Sequence, residues 1–140
     1  GGVILRTLGI DLGDKTIGLA ISDPSGILSQ PVKTVRRIDI KRDMDAIKHV
    51  IDEYNVVKIV IGLPRNMNGS IGPQCEKTLQ FADTLRGTIG LEVVLWDERL
   101  TTVLAERALL EADLSRKKRR KVIDSVAASI ILQSYLESRS

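Results

Sequence analysis

Three acidic positions could carry chemistry in this chain: Asp11 after a first apolar run, the pair Asp97-Glu98 after a later one, and Asp124 in a final helical stretch. Carboxylates at the ends of buried elements are costly unless they are paired, protonated or bound to a metal. They lie far apart in sequence, so only a fold that gathers strand ends and one helix could unite them. Such a site would hold divalent metal through oxygen ligands, the arrangement that phosphoryl-transfer chemistry requires.

Asp11 sits in Leu8-Gly9-Ile10-Asp11-Leu12-Gly13-Asp14-Lys15-Thr16-Ile17-Gly18-Leu19-Ala20-Ile21-Ser22-Asp23. Two apolar runs flank a short Gly13-Asp14-Lys15 turn, the pattern of a β-hairpin. Gly9 and Gly13 have no Cβ, so a phosphate or a neighbouring backbone can approach Asp11. A plain hairpin with a solvated Asp has the same pattern.

The elements that must position these groups follow from periodicity and turn signals. Val3–Ile10, Thr16–Asp23 and about Ile27–Val35 read as three consecutive strands, broken by Asp23-Pro24-Ser25-Gly26 and the Gln30-Pro31 step. Asp39 caps a helix whose apolar residues Ile40, Met44, Ile47, Ile51 and Tyr54 form one stripe, with His49 off the stripe as a surface residue. A strand Val57–Leu63 follows, then a helix from about Pro73 to Arg86 ended by Gly87, and a strand Leu91–Trp96. A helix from Thr102 to about Ala112 and a last helix from about Arg120 to Glu137 complete the chain. Antiparallel strands followed by alternating helices and strands predict an α/β fold: a mixed five-stranded sheet with helices on both faces, Asp11 and Glu98 leaving neighbouring strands. Asp124 shares a helical face with Ala127, Ala128 and Ile131, small residues that would let the last helix pack close.

Four segments in this order resemble the YqgF/RuvX family: the Asp11 hairpin; Val57–Leu63 running into Pro64-Arg65-Asn66-Met67-Asn68-Gly69-Ser70; Leu91–Trp96 running into Asp97-Glu98-Arg99-Leu100-Thr101-Thr102; and Val122-Ile123-Asp124-Ser125 to Leu136. That family consists of RNase H-like proteins described as Holliday junction resolvase homologues and as nucleases maturing the 5′ end of 16S ribosomal RNA. The resemblance covers nearly the whole chain. It implies an acidic triad of Asp11, Glu98 and Asp124, with Asp97 as rival for the middle position because neighbouring residues leaving a strand point to opposite faces. It implies two Mg²⁺ (or Mn²⁺) ions at a scissile phosphate. One departure is visible: the family often has Arg where this chain has Thr16, which leaves Lys15 to hold phosphate at that turn.

Composition is consistent with this reading. The 140 residues read as one domain (1–140), with Gly1-Gly2 an N-terminal remnant lacking an initiating Met. There is no apolar stretch long enough to span a bilayer and no signal pattern, and a single Cys75, expected in a packing role, points to a reducing cytoplasm. Net charge is +3, yet Arg116-Lys117-Lys118-Arg119-Arg120-Lys121 supplies six positive charges in succession, separated from Asp124 by only Val122 and Ile123. Such a run is a solvated loop or, beside an acidic site, a phosphate grip. Arg65 and Asn66, in a polar loop after a strand, are further candidates for contact with nucleic acid. Trp96 reads as core, and with aromatic residues only 3% of the chain, base stacking does not dominate recognition.

The expected activity is therefore metal-dependent phosphodiester hydrolysis on structured RNA. A DNA junction resolvase needs a symmetric dimer, which the sequence does not reveal. A non-catalytic nucleic-acid-binding protein on the same fold would lack one of the acids. The Asp-x-Gly hairpin also resembles that of the sugar kinase, actin and heat-shock ATPase superfamily, but those proteins close two such domains over a nucleotide.

Overall fold

A computed structural model of the chain describes residues 5–101 and 116–139, and the side chains of 116–124 lie outside that description. Strands β1 (Arg6–Leu12), β2 (Thr16–Ser22) and β3 (Ser29–Arg36) form an antiparallel meander. They are followed by α1 (Ile40–Tyr54), β4 (Val56–Leu63), α2 (Pro73–Ile89), β5 (Glu92–Asp97), a 3₁₀ turn (Glu98–Leu100) and α3 (Arg116–Ser138). The sheet order is β3-β2-β1-β4-β5, with β1–β4 and β4–β5 parallel. The helix expected over Thr102–Ala112 lies outside the described residues.

Alternation along the strands sorts the core into two layers. Leu8, Ile10, Ile17, Leu19, Ile59 and Ile61 point to one face, where Met44, Ile47 and Val50 of α1 and Phe81 and Leu85 of α2 cover them. Ala20 and Val60 point to the other, where Ala127, Ala128, Ile131, Leu132 and Tyr135 of α3 close the layer. Burial on both faces is why Ile59, Val60 and Ile61 at the centre of β4 are apolar in succession.

Local signals explain most boundaries. Asp39 accepts a hydrogen bond from the Arg42 backbone N–H and starts α1 where expected, while Asn55 ends it in the left-handed conformation at φ 57°. Ile40 departs from the expected stripe: it is 49% exposed, and Asp43 is buried in its stead. That carboxylate is satisfied by Arg37 Nε at 3.2 Å and the Ile38 N–H at 3.1 Å. Helix α2 continues through Gly87 and stops at Gly90, whose φ of 80° needs a residue without Cβ and whose N–H closes onto the Arg86 carbonyl. Helix α3 starts at Arg116, not near Arg120, so the backbone of the basic run is helical. His49 is exposed, as expected, with Nε2 3.9 Å from Glu53.

Candidate active site

Asp11 lies inside β1, 6% exposed, on the face covered by α3. The face is fixed by Gly9, two residues earlier: a Cβ there would stand 2.8 Å from Leu132 Cβ and 2.9 Å from the Ala128 carbonyl oxygen. Asp11 has a glycine on each side. Gly18 of β2 is its antiparallel partner, and because Ile10 aligns with Ile61 of β4, the next step sets Gly62 beside it.

Gly62 explains how the second carboxylate arrives. Asp11 and Glu98 do not leave neighbouring strands as expected, because β4 lies between β1 and β5. Glu98 instead folds back across β4: a Cβ on Gly62 would lie 3.1 Å from Glu98 Cγ, 3.3 Å from its Cδ and 2.5 Å from Ile131 Cδ1. The bare backbone of Gly62 is the floor on which the Glu98 carboxyl rests, and it brings that group toward Asp11.

Helix α3 brings the third position to the same end. Lys58 Nζ donates to Tyr135 Oη at 3.1 Å, and Ile131 reaches Gly62, so four residues back along α3 correspond to four residues forward along β4. Residues before Ala128 therefore lie toward the end of β1 that carries Asp11. Asp124 is about one helical turn before Ala128; its side chain lies outside the described residues. Among the described residues no group of three His, Cys, Asp or Glu side chains is assembled.

Asp97 has a different role. Its carboxylate accepts from Arg99 Nη2 at 2.7 Å, Arg99 Nε at 3.0 Å and the Arg99 backbone N–H at 2.9 Å, and Arg65 Nη1 stands 3.9 Å away. The hydrogen bonds from Arg99 hold the Asp97 carboxyl below the ordinary carboxylate range, outweighing partial burial. Arg99 also donates to the Met67 carbonyl at 3.4 Å and packs under Gly69. Asp97 thereby pins the loop after β4 to the turn that begins with Glu98. Within that loop Asn66 is engaged by Ser70, its Nδ2 donating to Ser70 Oγ at 2.9 Å.

A profile of the RuvX family, described as Holliday junction resolvase, matches residues 5–138. The chain belongs to the RuvX family. A Clostridium botulinum protein named "Putative pre-16S rRNA nuclease" is 55% identical over 136 residues, covering 97% of this chain and 99% of its own length. A Caldanaerobacter subterraneus protein of the same name is 56% identical over 136 residues, covering 96% and 98%. In fold, the chain is similar to Thermus thermophilus RuvC in complex with a Holliday junction substrate (TM-score 0.60, 14% identity, 96% and 95% covered). It is also similar to the fowlpox virus Holliday junction resolvase (TM-score 0.55, 17% identity, 96% and 99% covered).

For this RuvX-family chain the oxygen-only donors Asp11 and Glu98, gathered over a glycine floor, fit a hard divalent cation such as Mg²⁺ or Mn²⁺. Sequence reasoning missed Gly18 and Gly62 as parts of the site. The signal was present: an isolated glycine within an apolar strand marks close approach of another group. Cys75 is fully buried, and burial pushes its thiol up from the ordinary value, consistent with the expected packing role. Trp96 is half-buried against the α3 core layer, edge-on to Tyr135 at 5.7 Å and donating from Nε1 to Ser134 Oγ at 3.1 Å. Lys15 is exposed on the hairpin turn. The side chains of Arg116, Lys117, Lys118, Arg119, Arg120 and Lys121 lie outside the described residues. No helix among the described residues is long and apolar enough to cross a membrane.

Proposed function

We propose that the chain is a metal-dependent nuclease that hydrolyses phosphodiester bonds in precursor 16S ribosomal RNA, acting in the cytoplasm as one RNase H-like domain spanning residues 1–140. The observation that carries this reading is the Glu98 carboxyl group folded across β4 onto Gly62, beside the buried Asp11. Two carboxylates set at the same end of the sheet offer the oxygen donors that a hard divalent cation takes. The names of relatives more than half identical supply the RNA substrate.

Asp11, Glu98 and Asp124 would hold Mg²⁺ or Mn²⁺. The cation supplies Lewis-acid activation of water and neutralises charge developing on the scissile phosphate. Asp11 is held rigid within β1, which fixes the position of that phosphate. Glu98 sits on a turn clamped by Asp97 and Arg99, so its carboxyl is placed before substrate arrives. Lys15 and the Arg116–Lys121 run attract the phosphate backbone without reading sequence.

The test is cleavage by the purified protein of a precursor 16S ribosomal RNA end, an unstructured RNA and a four-way DNA junction, each with Mg²⁺ or Mn²⁺. Wild type cuts the precursor, while Asp11→Asn, Asp124→Asn and Glu98→Gln are inactive and still folded. Full activity of Asp11→Asn would overturn the site. Preferential cutting of the junction would make the substrate branched DNA, and binding without cutting would leave a nucleic-acid-binding protein.

A further inference from the structure

The two flanks of the acidic site carry cations in opposite states. On the β4–β5 flank, Arg65 and Arg99 share Asp97. On the β2–β3 flank, Arg37 is consumed by structure: Nε binds the buried Asp43 at 3.2 Å, Nη1 donates to the Gly13 carbonyl at 3.0 Å, and the guanidinium lies 5.5 Å from the centre of the Phe81 ring. Its neighbour Arg36 is exposed and has no ion-pair or hydrogen-bond partner for its side chain among the described residues. Lys15, on the adjoining turn, is in the same state.

Register decides which face Arg36 serves. Paired residues of antiparallel strands share a face. Thr34 pairs with Gly18, the partner of Asp11, and Arg36 pairs with Thr16 two positions farther out, so both stand on the α3 face. Lys33, equally exposed, pairs with Leu19 of the opposite core layer. Two strand spacings and two residues of rise put the Arg36 backbone about 12 Å from Asp11, within reach of a phosphate one or two nucleotides from the one being cut.

We infer that the nucleic-acid backbone runs from the acidic site along the β2–β3 flank, and that Arg36, with Lys15, grips the phosphate next to the scissile one. The inference rests on the nuclease reading above and adds the direction of the bound strand. A guanidinium left unpaired on the surface is free to make a bidentate phosphate contact, whereas Arg65 would first have to leave Asp97. Since the contact is to phosphate, it strengthens binding to every sequence alike.

The experiment measures fluorescence anisotropy of a labelled single-stranded RNA over a series of salt concentrations, with Asp11→Asn as the cleavage-blocked background. Added to it, Arg36→Ala reduces the slope of log K against log salt by about 0.7, which is about a fivefold loss of affinity at 0.1 M salt relative to 1 M. Arg36→Lys keeps most of the slope. Lys33→Ala removes the same charge from the same strand on the other face and leaves slope and affinity as they were. In the otherwise wild-type protein, Arg36→Ala raises KM for RNA cleavage with little change in kcat. An unchanged slope in Arg36→Ala, or an equal loss in Lys33→Ala, overturns the inference while wild-type cleavage leaves the nuclease reading standing. Absence of any RNA binding or cleavage by wild type is instead the failure of that reading.

Discussion

Gly62→Ala separates the packing role of this glycine from its role under Glu98. The new methyl would meet Ile131 Cδ1 at 2.5 Å and Glu98 Cγ at 3.1 Å, against an ordinary contact of 3.4–4 Å. Crowding a packed core costs about 1–3 kcal/mol, offset by about 0.4–1 kcal/mol from a less flexible unfolded chain. The net loss is about 1 kcal/mol, or roughly 3–5 °C in Tm for a chain of this size. Glu98 must also shift by a few tenths of an ångström up to nearly 1 Å, and a misplacement of about 1 Å can cost on the order of 100-fold. The expected outcome is a fall of about ten- to 100-fold in kcat. Adding Ile131→Val deletes the Cδ1 atom and relieves the worst clash, so the double variant recovers part of its stability without recovering its rate. Denaturant melts and single-turnover RNA cleavage read the two quantities independently. A Gly62→Ala protein that loses stability but cuts RNA at the wild-type rate would refute the reasoning.

Two further changes probe the scaffold. Gly9→Ala puts a methyl 2.8 Å from Leu132 Cβ and 2.9 Å from the backbone oxygen of Ala128, which cannot rotate away, so α3 must lift and stability should fall by about 2 kcal/mol or more in a thermal melt. Asp97→Asn should cost about 1 kcal/mol near neutral pH, a modest figure because solvent screens the Arg99 pair. Because the folded Asp97 pKa is depressed, its contribution is present above the ordinary carboxylate value of about 3.9 and disappears as pH falls through the lower folded value. Stability curves of wild type and variant should therefore converge as pH falls through the depressed Asp97 value; a gap that persists in acid would mean that shape, not charge, holds the turn.

The meander, the Asp39 cap and the alternation of later elements were legible because each depends on local rules: turn residues, period, and a side chain that satisfies a helix N–H. The end of α2 was not, since Gly87 and Gly90 are equivalent as letters and only tertiary packing lets the helix run past the first. The start of α3 was hidden because six consecutive cations have no apolar periodicity to mark a helix. Asp11 and the Asp97-Glu98 pair stood out as candidates by type and position relative to strands, and the family resemblance favoured Glu98 within the pair. That β4 intervenes between their strands is a property of sheet order, which local signals do not encode, so Gly62 could be marked in sequence as a point of close approach but not as the floor under Glu98. Arg36 and Lys33 look alike in sequence; their odd separation sets them on opposite faces, but only the pairing of Arg36 with Thr16 and of Lys33 with Leu19 shows which of them stands on the α3 face.

The closure of the meander by α3 bears on the order in which the chain can fold. Ser29, at the start of β3, donates its N–H to Gln133 Oε1 at 2.8 Å, and its hydroxyl donates to the Ser129 carbonyl at 2.6 Å, across about a hundred residues of chain. Until α3 has formed and docked, Gly9 and Asp11 have no covering layer. The layer over Asp11 is thus closed by contacts about a hundred residues apart in sequence, whose loop-closure entropy must be met before they form, so this end of the sheet is completed late in folding.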